Sequence, residues 1–153
     1  MSIQIKTVTS VKDFKIFARF ANKMYKGNKY YVPSMPSDDL ATFDKRRNAA
    51  FEFCDAEFYL AYKDGKVVGR VAAIVNHKAN DAWKVKQVRF GWIDFIDDMD
   101  VSAALLEAVS EFGRKAGMTQ IVGPLGFTDF DPEGMLVDGF DRLCTMALIY
   151  NHP

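Results

Sequence analysis

"EFYLAYKDGKVVGRVAAIVNH", residues 57–77, is the stretch that decides the fold. Two runs rich in β-branched and aromatic residues meet at Asp64-Gly65, a pair suited to a two-residue type I′ turn because both positions need positive φ. Phe58, Leu60 and Tyr62 alternate along the first run, and Val67, Gly69, Val71 and Ala73 along the second, which is the period of a strand. The stretch predicts a long antiparallel hairpin.

On its C-terminal side, "KANDAWKVKQ" reads as a polar connection and "VRFGWIDFI" (88–96) as a third strand. "DVSAALLEAVSEFGRKAG" (100–117) predicts a helix with Asp100 as N-cap, Leu105, Leu106, Val109 and Phe112 inward, and Gly117 past its end. "TQIVGP" (119–124) reads as a short buried strand, and a loop rich in Gly, Asp and Pro runs to about 140. "LCTMALIY" (143–150) is a further apolar run. On the N-terminal side, "IQIKTV" (3–8) alternates as a short strand. Ser10 then caps a helix, with Asp13 in the capping-box position and Phe14, Phe17, Ala18, Ala21, Met24 and Tyr25 on one stripe. Two prolines interrupt "YYVPSMPSDD", and "SDDLATFDKRR" (37–47) predicts a second helix starting at Ser37. The order gives an α/β (α+β) chain, one domain over 1–153, with a mostly antiparallel central sheet and helices on its faces.

Composition narrows the classes. Of 153 residues, 49% are apolar and 26% charged, which favours a folded core over disorder. Twenty basic residues balance twenty acidic ones, so the chain has no global electrostatic reason to bind nucleic acid or an anionic membrane. No apolar run approaches the roughly 20 residues of a membrane span, and "MSIQIKTVTS" does not read as a signal peptide, so a cytoplasmic location is expected. Cys54 and Cys144 lack C-x-x-C spacing and read as reduced core thiols. His77 and His152 have no Cys or Asp at ligand spacing, so no metal site is expected.

The strand, two helices, "DG" hairpin with its "GRVAAI" arm, strand, helix and short strand together resemble the GNAT superfamily of acyl-CoA-dependent N-acyltransferases. "FGWIDFIDD", "GPLGFTDFDPEGMLVDGFD" and "YNHP" resemble a poorly characterised bacterial GNAT-like family. The resemblance implies acetyl-CoA or another acyl-CoA as cofactor, held along the strand before the long helix and at that helix's N-terminus. Carried onto this chain, the contact positions are Ile93, Phe95, Ile96, Asp97, Asp98, Met99 and Val101. The implied phosphate loop is "DDMDV", which has no glycine and no base, whereas acidic residues there also serve as helix caps. GNAT chains continue past "YN-P" with a helix and two closing strands; this chain stops at Pro153, as a truncated or a short version would.

Two residues are candidates for catalysis. Asp94 is the carboxylate within the apolar strand: burial there suits a general base for an amine, and a cross-strand pair with Arg70 or Arg89 is the plainer alternative. Strand alternation puts it on a face with Phe90, Trp92 and Ile96. Tyr150 lies near the region where GNAT enzymes carry a tyrosine acid, or is a packed strand aromatic. The resulting functional expectation is acyl transfer from acyl-CoA to an unspecified small-molecule amine; the alternative is a non-catalytic module binding a small ligand or a partner. An apolar edge such as "TQIVG", or the run "LCTMALIY", further predicts a homodimer.

Overall fold

The computed structural model of the chain describes residues 2–145 and 149–153. One five-stranded sheet runs in the order β1 (Gln4–Thr7), β2 (Cys54–Lys63), β3 (Lys66–Asn76), β4 (Gln87–Phe95), β5 (Gln120–Val122). The first four strands pair antiparallel, and β5 lies parallel to β4. The β2–β3 hairpin closes as its turn chemistry requires, with φ of 51° at Asp64 and 73° at Gly65.

Helices cover both faces. Helix α1 (Val11–Met24) starts where Ser10 accepts from the Asp13 amide, and it is followed by α2 (Pro36–Phe43). On their side of the sheet Phe17, Phe43 and Phe58 pack as an aromatic triad, with centroids 5.1–5.3 Å apart, over Leu60, Ala72 and Ile74. Helix α4 (Met99–Lys115) covers the opposite face, burying Val101, Leu105 and Val109 against Val71, Ala73 and Val75. Leu106 is only half-buried, outside that cluster, while Phe112 packs against it.

Several boundaries differ from expectation. The N-cap of α4 is Asp98, not Asp100: its carboxylate accepts from the Asp100 amide at 3.0 Å. Helix α2 begins at Pro36, because proline's fixed φ suits a first helical position. Within the polar connection lies a short helix, α3 (His77–Trp83), capped by the Asn76 side chain. A bulge between Ala61 and Tyr62 gives β3 one extra residue, so Val67 faces α1 while Val71 and Ala73 face α4. Strand β5 is an edge strand with Ile121 43% exposed, rather than a buried one. The run 143–150 lies partly outside the described residues; its ends pack at the C-terminus of α1, where the Cys144 amide donates to Tyr30 O.

Candidate active site

Strand β4 changes its facing midway. Arg70 pairs with Asp94 and Ala72 with Gly91, so β4 carries one residue more than β3 across this interval, and Trp92 takes a φ of 45°. The bulge re-aims the side chains. Phe90 points into the α4-side core, contrary to simple alternation, while Trp92 packs on Phe43 and Phe127 on the α1 side.

Asp94 shares the α1 side and is held on both oxygens. The Arg70 guanidinium donates to Oδ2 at 2.9 Å through Nε, and through Nη1 to the Phe17 carbonyl at 2.7 Å. The Tyr25 hydroxyl donates to Oδ1 at 3.2 Å. Arg89, the other expected partner, instead donates to the carbonyls of Gly126 and Phe127. Burial, and then the nearby Asp94 carboxylate, push the Tyr25 phenol well above its usual range, so Tyr25 keeps its proton and acts as a donor.

Tyr150 joins the same cluster. Its ring stands edge-on to Tyr25 at 5.3 Å, and Asn28 Nδ2 donates to its hydroxyl at 2.7 Å. Tyr31 packs on both rings and donates to Asn22 at 2.6 Å; burial pushes its phenol up to about 12. Asn151 clamps the Leu136 backbone, accepting from its amide at 2.8 Å and donating to its carbonyl at 3.1 Å. Asp94 of "FGWIDFIDD", Leu136 of "GMLVDGF" and Tyr150 and Asn151 of "YNHP" thus converge on the end of α1. Tyr25, which links Asp94 to Tyr150, had shown in the sequence only as part of an apolar stripe.

Beside this cluster the sheet opens. Strands β4 and β5 pair only from Gln87–Arg89 to Gln120–Val122; the Leu125 amide then donates to Phe90 O at 2.9 Å. Beyond that point no strand among the described residues pairs with this edge of β4. The Ile96 amide is used by Val68 O on the β3 side, so by alternation the backbones of Phe95 and Ile93 face the opening. An extended, hydrogen-bonding arm fits such an edge.

The following turn fits a pyrophosphate poorly. Asp98 takes the Asp100 amide with its side chain and the Val101 and Ser102 amides with its carbonyl. Lys63 donates to Asp98 Oδ2 at 2.6 Å, and its charge is offset by that carboxylate. Asp97 and Met99 are exposed, and the Val101 side chain of α4 is fully buried against the sheet. The helix N-terminus, a natural anion site, is already filled by the chain's own carboxylate.

No family model matches the sequence. The overall architecture superposes on the tandem GNAT protein from the clavulanic acid biosynthesis pathway with a TM-score of 0.57, at 13% identity over 78% of this chain and 35% of that one. This is a GNAT fold. The ribosomal-protein-alanine N-acetyltransferase from Brucella melitensis biovar Abortus 2308 shares it with a TM-score of 0.56, at 15% identity over 80% of this chain and 79% of that one. So does a predicted acetyltransferase with acetyl-CoA from Clostridium acetobutylicum, at 0.53 and 8% identity, covering 79% of each chain. By sequence, this GNAT-fold chain is 26% identical over 140 residues to Protein YghO of Escherichia coli (strain K12), covering 90% of this chain. It is 30% identical over 97 residues to the bacterial ceramide synthase of Caulobacter vibrioides, covering 63% of this chain. The matches span 35% and 25% of those two relatives.

Proposed function

We propose that this chain is an N-acyltransferase domain whose acceptor is a long-chain amine. The observation that carries the reading is the convergence of Asp94, Tyr25 and Tyr150 beside an open edge of β4 in a GNAT fold. The acceptor class is suggested by the likeness to a ceramide synthase, since a ceramide is an N-acylated long-chain amino alcohol.

An acyl-CoA, when bound, supplies an activated acyl carbon. In this reading Asp94 takes the amine proton, and Arg70 and Tyr25 hold its two oxygens. The Tyr150 hydroxyl, oriented by Asn28, is the candidate proton donor to the departing thiolate. Mass spectrometry of a long-chain acyl-CoA incubated with a long-chain amino alcohol should detect the amide. Tyr150→Phe, which keeps the ring packing, should slow its formation by about 10²-fold. Amide formation at the wild-type rate in that variant would remove Tyr150 from the chemistry, and no amide at all would overturn the reading.

A second reading, a non-catalytic module using the same cleft, is favoured by the capped turn: at the helix N-terminus the Asp98 carboxylate takes the Asp100 amide and pairs with Lys63. It expects no acyl transfer and no calorimetric binding of acetyl-CoA.

A further inference from the structure

Helix α1 carries Lys12, Lys15, Arg19 and Lys23 along one face, and with Lys66 of the hairpin they border a groove of about 1110 Å³. Every charged residue lining that groove is a cation. None of the five forms an ion pair or a side-chain hydrogen bond among the described residues. The groove's apolar surface comes from Ile16, Phe20, Met24, Val67 and Ile96. Ile96 directly follows β4, just before the carboxylate-capped turn, so an anion approaching this end of the sheet finds free cations on α1 and none at the turn.

Of the stripe only Lys23, in the last turn, complements the helix dipole. Lys15, Arg19 and Lys23 stand at i, i+4 spacing, where like charges repel, and Lys12 sits in the first turn, where the dipole disfavours a cation. A solvated helix face serves better with both signs interspersed. Unpaired cations around an apolar floor complement a ligand carrying concentrated negative charge on a hydrocarbon body.

We propose that the groove between α1 and the β2–β3 turn binds a single phosphate-headed, long-chain amphiphile, with the phosphate on Lys15, Arg19 and their neighbours and the chain along Ile16, Phe20 and Ile96. This site does not use Asp94, Tyr25 or Tyr150, although it borders them at Met24 and shares Ile96 with the expected acyl-CoA positions, and its test does not depend on acyl transfer.

Fluorescence anisotropy with a labelled lysophosphatidic acid, kept below its micellar concentration, tests the site on the 153-residue chain. Saturable binding is expected, with a lysophosphatidylcholine of the same chain length at least about tenfold weaker, since the choline cation offsets the phosphate among lysines. Inorganic phosphate should compete only weakly because it leaves the apolar floor empty. The Lys15→Glu/Arg19→Glu variant, its helix content checked by circular dichroism, should lose at least about tenfold in affinity. Equal affinity for the two headgroups in the wild type, which needs no variant to interpret, would overturn the proposal. So would undiminished binding by the charge-reversed chain. Binding to vesicles of anionic phospholipid without binding of the monomeric probe would overturn it in favour of a membrane-facing surface.

Discussion

Asp94 and Arg70 were both visible as charges in apolar strands, but their value to the molecule follows from burial: their side chains are only 11% and 6% exposed. Removing one partner strands the other. Asp94→Ala should cost about 3–5 kcal/mol by denaturant unfolding, and the Arg70→Met/Asp94→Leu double replacement markedly less than the two single changes summed. The tyrosine cluster makes a second prediction at this scale. A phenol whose folded pKa is raised contributes stability that is complete below the unfolded value and lost as pH rises through the folded one. For Tyr31 that window runs from 10.0 to about 12, and Tyr25 shifts in the same direction. The melting temperature should therefore fall steeply above pH 10, and Tyr31→Phe should flatten that fall. An equal slope in the variant would remove Tyr31 from the effect.

At the level of elements, the packing of α4 on the hairpin depends on a missing side chain. A Cβ on Gly69 would lie 2.9 Å from Leu105 Cδ1 and 3.0 Å from Val101 Cγ1, so Gly69→Ala should destabilise by about 1–3 kcal/mol as α4 is pushed outward. The β4–α4 turn carries the cofactor prediction. Acetyl-CoA should bind weakly, because the helix N-terminus is capped and Lys63 is engaged. Asp98→Gly costs only a few tenths of a kcal/mol as a cap change while freeing the Asp100 amide and Lys63, so calorimetric affinity for acetyl-CoA should rise. Tight binding by the wild type, or no gain in the variant, would show that the turn does not set affinity.

Across the whole molecule, β5 presents an edge with Ile121 43% exposed. We propose that the 153-residue chain pairs through this edge in a two-fold dimer, since an unpaired strand edge recruits a partner and a two-fold arrangement closes the association. Sedimentation velocity at micromolar concentration should give a dimer that Ile121→Lys dissociates; a 17.3 kDa monomer for the wild type would refute it. The balanced net charge, by contrast, concealed a local asymmetry, because the cations of α1 gather on one groove only once the helix is laid against the sheet.

The hairpin, the amphipathic faces of α1 and α4, and the Ser10 cap were legible in the sequence because each rests on contacts within a few residues: turn dihedrals, helical period, a side chain reaching its own backbone. Asp94 and Tyr150 were legible as candidates only by their residue type and setting. Their meeting through Tyr25 was not, since that hydrogen bond joins residues 69 apart and depends on the β4 bulge turning Asp94 toward α1. The same holds for Asn151 clamping Leu136 and for Lys63 pairing with Asp98. Local chemistry fixes elements, whereas the site is made of pairs distant in sequence, and which pairs meet is decided by how a bulge, a hairpin and two packed helices share one core.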